Sequence, residues 1–209
     1  IISALGILIT IASLDRSSLP LSQHGIAARL VQACYGLVFY ASRTLWPAGL
    51  SPLYELRAPL DPRAARFVVA GVLVIAAAVL IWRERVRHPW LIAAAAFYAV
   101  CLSPVLGLCQ NGLQIVADRY SYMSCLPLAL IAGAALSSAL RRASRRGPVL
   151  AVAVLAVAAL ASACVRQQSF WRNSEALWTR MAAVDPASAT ARQGLGTVRA
   201  NQGRLAEAA

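Results

Sequence analysis

The sequence predicts an all-α fold, in which a polytopic bundle of transmembrane helices continues into a polar helical region. Of the 209 residues, 59% are hydrophobic and only 13% are charged, and the mean hydropathy is +0.63. Soluble domains carry about 25% charged residues, so a soluble fold could not bury this much apolar surface. Long uncharged runs separated by short arginine-rich turns point to the same class.

The charge balance is strongly basic, with 20 basic residues, all arginine, against 8 acidic ones. In a soluble protein such a charge would suggest nucleic acid. Here many of the arginines lie between apolar runs, where they act as topology signals, so the expected partner is the lipid bilayer and not nucleic acid. The five cysteines show no CxxC or Cys/His spacing, so no metal site is predicted, and no cofactor is evident.

Two partial or interfacial helices come first, at residues 1–14 and 26–46. The first is too short to span a bilayer, and the chain opens at Ile1 without an initiator Met, so we expect this helix to begin upstream. The second carries Arg29 and Arg43 near its ends. It fits either a short span with snorkelling arginines or an amphipathic helix at the interface, and the sequence leaves both open.

Four further segments are predicted to cross the membrane. They are uncharged, and tryptophans lie at two of their ends, as expected for interfacial anchors. Pro104 is expected to kink the end of the second segment. The segments are 67–82, 90–108, 120–140 and 148–165, which makes residues 1–165 the membrane domain.

Arginines in two short connections predict the orientation. Cytoplasmic loops are enriched in Arg and Lys, and the two connections alternate correctly along the chain. The loops 46–66 and 109–119, and everything after Val165, are then expected to face the periplasm of a bacterial inner membrane. The seven arginines are Arg83, Arg85, Arg87, Arg141, Arg142, Arg145 and Arg146.

Residues 166–209 match the tetratricopeptide (TPR) repeat pattern. With Pro186 at position 32 of a 34-residue unit, the aromatic, Leu-Gly and small-residue positions all fall in phase. The alternative is a generic amphipathic helical hairpin, which would not place these residues together. An array needs about three repeats, so further repeats are expected beyond Ala209. The matching residues are Trp178, Pro186, Leu195, Gly196, Gly203 and Ala208.

The polar cluster Asp118-Arg119-Tyr120-Ser121-Tyr122 is the main candidate site. A guanidinium at the outer membrane face can bind a phosphate bidentately, so Arg119 is predicted to bind a donor phosphate. Asp118, Tyr120 and Tyr122 are then expected to orient the donor. In the alternative, Asp118 caps the following helix, Arg119 neutralises it and the tyrosines form an interfacial belt.

The loop Trp46–Tyr54 is the second candidate, because its prolines and aromatics predict a stiff, partly buried segment suited to roofing a cavity. A plain connector is the alternative. Three amide side chains, Gln110, Asn111 and Gln114, add polar capacity on the same side.

These motifs in order resemble bacterial membrane TPR proteins related to the transmembrane-and-TPR O-mannosyltransferases of animals. The resemblance runs from about Ile26 onward and rests on the segment 43–54, the segment 116–122, Trp171-Arg172-Asn173-Ser174 and the TPR pattern. Met123 and Ser124 precede Pro127, where relatives often have a proline sooner.

The resemblance implies a GT-C type glycosyltransferase that takes sugar from a polyprenyl-phosphate donor on the non-cytoplasmic side. The catalytic acid of that family normally lies in an early outer loop, so it is expected upstream and no catalytic residue is assigned here. The TPR region would present a protein or glycan acceptor. The alternative function is a non-catalytic, membrane-anchored TPR scaffold that binds envelope proteins.

Overall fold

The computed structural model describes residues 25–56, 60–107 and 114–204. The helix predicted at residues 1–14, together with Gln110, Asn111 and Ala208, lies outside them. The described chain is mostly helical, as predicted, with two single-turn 3-10 helices at Ser103–Val105 and Asp118–Tyr120. In chain order the other elements are α1 (Ile26–Leu45), β1 (Tyr54–Glu55), α2 (Ala65–Glu84), α3 (Trp90–Leu102), β2 (Gln114–Val116), α4 (Ser121–Ser124), α5 (Leu126–Arg142), α6 (Arg146–Ser169), α7 (Ser174–Val184) and α8 (Ala189–Asn201).

Two of the described helices, α2 and α6, are long and apolar enough to cross a membrane. A third crossing is possible where the segment Asp118–Ser124 and α5 meet at a bend of 56°. The segment predicted at 120–140 is therefore divided, and Pro127 lies in the first turn of α5, where its missing N–H is tolerated. The apolar helix at 90–105 is shorter and turns into a 3-10 helix at Pro104.

Helix α1 is a core helix that does not meet the length-and-hydropathy requirement for a membrane span. One of its faces is buried, and Tyr35 on that side packs edge-on against Phe67 of α2 with ring centroids 5.4 Å apart. A methyl group added at Gly36 would lie 2.8 Å from Leu106, so α1 also approaches the end of α3 closely. The buried residues of α1 are Ala28, Gln32, Ala33, Gly36, Phe39 and Tyr40.

The core lies where the C-terminal half of α1 meets the start of α2, the end of α3 and the two strands. Its aromatic members stack edge to face, with Phe39 contacting Tyr40 at 5.5 Å and Tyr54 at 4.9 Å between centroids. The core therefore fixes the loops at one end of the helices.

Strands β1 and β2 form an antiparallel pair that the all-α prediction missed. Tyr54 pairs with Val116 and Glu55 with Gln114, with an irregularity between the two pairs. This bulge places Ile115 and Val116 both in the core although they are adjacent, while Gln114 remains half-exposed. Two or three residues per strand carry too little alternation to be recognised from sequence.

Helices α7 and α8 form an antiparallel pair, called here the helical hairpin. Side chains cap both helices, since Asn173 accepts from the N–H of Ala176 at 2.8 Å and Ser188 from that of Ala191 at 3.1 Å. Trp178 packs so closely on Gly194 that an added methyl group would lie 2.4 Å from its ring. Assignment of this hairpin to the TPR class stays a prediction.

The repeat-signature residues occupy defined places in the hairpin. Pro186 lies in the turn between the helices, where the N–H of Ser188 bonds to the carbonyl of Asp185 at 3.0 Å. Leu195 and Gly196 are half-buried in α8. Gly203 ends α8 with φ +76°, a left-handed conformation that favours glycine.

Candidate functional site

Two loops distant in sequence are joined at Asp118. The Oδ2 atom of Asp118 accepts the backbone N–H of Ser51 at 2.7 Å and the hydroxyl of Tyr54 at 3.3 Å. Ser51 is buried, and burial raises the pKa of Tyr54, so this hydroxyl stays protonated and able to donate. We call residues 46–56 and 114–120 the loop layer.

The capping role considered for Asp118 is wrong. Neither the 3-10 turn that it begins nor α4 receives a side-chain cap. Its carboxylate is turned instead to the first loop, and its Oδ1 atom is buried without a hydrogen-bond partner in the described part of the chain. Asp118 thus holds the two loops together, and its predicted donor-orienting role would act through their geometry.

Tyr40 of α1 fixes the start of the Asp-Arg-Tyr turn from below. This fully buried side chain accepts the N–H of Ala117 through its hydroxyl at 3.1 Å. This role of Tyr40 was not predicted, because an aromatic on a helix face predicts core packing and gives no indication of a distant backbone partner.

Arg119 is exposed, and neutral groups orient its guanidinium. NH1 donates to the carbonyl of Pro52 at 3.3 Å, while NH2 donates to Oε1 of Gln114 and to the hydroxyl of Tyr120, both at 3.1 Å. The guanidinium also lies 4.8 Å from the centroid of the Tyr120 ring. Gln114 completes the arrangement by donating from Nε2 to the Tyr120 hydroxyl at 2.7 Å.

The guanidinium of Arg119 retains binding capacity. It has five N–H donors, and three contacts leave the Nε–H and one N–H of NH1 without an acceptor in the described part of the chain. None of the described carboxylates forms an ion pair with it, so the alternative in which Arg119 neutralises Asp118 is also wrong. Because no described carboxylate pairs with it, the guanidinium can bind an anionic ligand.

A second arginine, Arg43 at the end of α1, holds the first loop from the other side. Its NH1 donates to the carbonyl of Ala48, and the guanidinium lies 5.2 Å from the centroid of Phe39. Gly49 follows with φ +65°, a turn that favours glycine. Arg43 and Arg119 thus bond to the carbonyls of Ala48 and Pro52, and the loop is partly buried, as predicted.

Tyr122 is separate from this cluster. It is 75% exposed, and its side chain makes no hydrogen bond within the residues that the structure describes. The structure therefore brings Arg119 together with Tyr120, Gln114 and Pro52 but not with Tyr122. Among the described residues, no group of three or more His, Cys, Asp or Glu side chains is placed to hold a metal ion.

The helical hairpin touches the loop layer at Glu55. Thr190, in the first turn of α8, donates its hydroxyl to Oε1 of Glu55 at 3.0 Å. The hydrogen bond from the Ser188 hydroxyl is the main cause of a lowered Glu55 pKa, and Thr190 adds to it. The loop layer and the helical hairpin are thus in direct contact.

No protein-family model matches this sequence, and neither the curated proteins nor the solved structures include a significant match.

Proposed function

We propose that the protein is part of a membrane glycosyltransferase of the GT-C type, which transfers a sugar from a polyprenyl-phosphate donor to a protein or glycan acceptor. The observation that carries this proposal is the exposed guanidinium of Arg119, oriented by Gln114, Tyr120 and Pro52 and free of any described acid. A lipid-linked phosphate at the membrane face is an anion that such a group can bind.

The chemistry follows from charge development on the donor. As the bond between sugar and phosphate breaks, negative charge accumulates on the leaving phosphate, and a cation already in place stabilises it without reorganisation. Tyr120 and Gln114 keep the guanidinium in one orientation, and Asp118 fixes the loops that carry it. No residue of the described chain is assigned as the acid that activates the acceptor.

The helical arrangement supports a common side for the donor site and the hairpin. The arginine-rich turn between α5 and α6 lies at one end of these helices, whereas the Asp-Arg-Tyr turn precedes α5 and the hairpin follows α6. With that turn in the cytoplasm of a bacterial inner membrane, Arg119 and the TPR region face the periplasm.

The test is the Arg119→Ala variant of the full-length protein, reconstituted in lipid vesicles with a polyprenyl-phosphate-linked sugar. Loss of one preorganised donor at a transition state lowers kcat by about 10²–10³-fold. Arg119→Lys keeps the charge but not the planar fork, and is expected to recover only part of the rate. Radiolabelled sugar transferred to acceptor measures both.

Arg172→Ala is the matched control, because Arg172 is an exposed arginine in the turn before the same hairpin. It is expected to keep full transfer. Unchanged transfer and unchanged donor binding in Arg119→Ala would remove the role given to Arg119.

The second candidate is a non-catalytic scaffold that gathers envelope proteins. The close packing of Trp178 on Gly194 and the proline turn at Pro186 favour it, since they form a well-ordered helical pair of the kind that binds peptides. A transfer assay distinguishes the two: sugar transfer from a polyprenyl-phosphate donor supports the enzyme, and peptide binding without transfer supports the scaffold.

A further inference from the structure

Glu55 belongs to two parts of the structure at once. It is a β1 residue, and it contacts the first turn of α8 through Thr190, 135 positions later in the chain. Besides the hydroxyls of Ser188 and Thr190, the backbone N–H groups of Ala189 and Thr190 contribute to the lowered pKa of its carboxyl. A carboxylate therefore faces the positive end of the α8 dipole, where negative charge is stabilising.

The contact is partly buried. Ser188 and Ala191 are fully buried, whereas Ala189 is exposed and Thr190 and Glu55 are half-buried. Ser188 already caps α8 through the N–H of Ala191. Glu55 is thus not required to start the helix, and its contribution is to join the hairpin to the loop layer.

Glu55 is also close to Arg119 along a short chain of contacts. In the strand pair Glu55 lies opposite Gln114, and Gln114 accepts from NH2 of Arg119 at 3.1 Å. Tyr54, the preceding residue, is directed to Asp118 instead, as the alternation of a strand requires. Tyr54 of β1 therefore joins the two loops, while Glu55 contacts the hairpin and pairs with Gln114, which orients Arg119.

We propose that Glu55 is a positioning residue, which docks the helical hairpin beside Arg119 and so sets where an acceptor polypeptide on the hairpin meets the lipid-phosphate donor. The acceptor part rests on the proposed function. The docking part does not, because it concerns only two segments of the same chain.

Hydrogen exchange of the full-length protein tests the docking directly. In Glu55→Ala, amides of residues 188–192 are expected to exchange about tenfold faster, because a charge-assisted contact at the helix N-terminus is lost. Glu55→Gln keeps the shape and can still accept from Thr190, so its effect is expected to be smaller. If Glu55→Ala fails to fold, the exchange rates of Glu55→Gln test the docking.

Glu175→Ala is the matched control within the hairpin. Glu175 pairs with Arg204 at 2.8 Å, away from Glu55, so its loss is expected to affect the end of α8 and not residues 188–192. Unchanged exchange of residues 188–192 in both Glu55 variants would overturn the docking.

Kinetics test the acceptor part separately. Displacing the hairpin is expected to raise the KM for acceptor about tenfold while leaving the KM for donor unchanged, whereas general loosening of the protein would change both. Faster exchange with an unchanged acceptor KM would overturn the positioning role. If the Glu55 variants exchange faster but the wild-type protein has no transfer activity, the proposed function is refuted and the docking remains supported.

Discussion

The loop layer and helix α6 differ in how far the protein buries their side chains. The loop layer contains polar and charged side chains, yet Ser51 is buried, and the backbone N–H of Ser51 and the hydroxyl of Tyr54 both bond to Asp118. Helix α6 is apolar in sequence, yet it has no buried residue in the described part of the chain, and Leu155 near its middle is 69% exposed.

The difference shows which surroundings each region requires. A loop with buried backbone needs hydrogen bonds from the protein itself, and Asp118, Tyr40 and Arg43 supply them. An α-helix satisfies its own backbone, so α6 needs only an apolar medium along its side chains. Substitutions in the two regions should therefore have different costs.

The largest effect is expected in the core beneath the loop layer. Phe67, 1% exposed, packs on Tyr35, and Phe67→Ala is expected to reduce the free energy of unfolding by about 3–5 kcal/mol because it leaves a cavity. Leu155→Ala in α6 is expected to change it by only about 0.5 kcal/mol. Detergent-driven unfolding followed by circular dichroism measures both, and equal costs would end the distinction between the regions.

A smaller effect is expected where two helices meet. Gly194→Ala brings a methyl group into the Trp178 ring, and such overpacking costs about 1–3 kcal/mol. Gly133→Ala in α5 meets nothing within 4 Å and, as a helix-favouring change, is expected to be neutral or stabilising by up to about 1 kcal/mol. Thermal unfolding of the two variants checks the sign, and a destabilised Gly133→Ala would show an unseen neighbour.

The smallest effect is the pH dependence of hairpin docking. Hydrogen bonds from Ser188 and Thr190 lower the pKa of Glu55 below its ordinary 4.5. The docking contribution is therefore fully present above pH 4.5 and is lost as the pH falls through the lowered pKa. Protection of residues 188–192, corrected for intrinsic exchange, should decline there in the wild type and not in Glu55→Gln.

Glu175 is the internal reference for that measurement. Its pKa is also lowered, chiefly by Gln202 and then by Arg204, so the far end of the hairpin titrates independently. An identical decline in wild type and Glu55→Gln would assign the pH dependence to another group.

The helices and the turns between them could largely be predicted from hydrophobic runs and arginine positions, since both signals are local. The division at Cys125 was missed because residues 120–140 contain no charge, and apolar composition alone does not reveal a bend. The helical hairpin, with Trp178 in its first helix and Pro186 in its turn, was predicted because these residues stand at a fixed spacing.

The candidate site was predicted only in part, because its contacts join segments that sequence does not relate. Arg119 and Tyr120 were correctly grouped, and Gln114 was recognised only as added polar capacity. The partners of Asp118 lie 64 and 67 positions away in the chain, and no local sequence pattern predicts them. Tyr40 and Glu55 were missed for the same reason.

The pairing of β1 with β2 brings together the two ends of the chain segment that contains α2 and α3. The two ends of this helical pair are tied at one level by the ladder and by Asp118, whereas the arginine-rich turn at the opposite end carries no such tie among the described contacts. Tyr98 of α3 also donates to the carbonyl of Leu37 in α1 at 2.6 Å, and Phe67 at the start of α2 packs on Tyr35 of α1. A displacement of the distant turn is therefore expected to move that end of α2 and α3 more than the loops that carry Arg119.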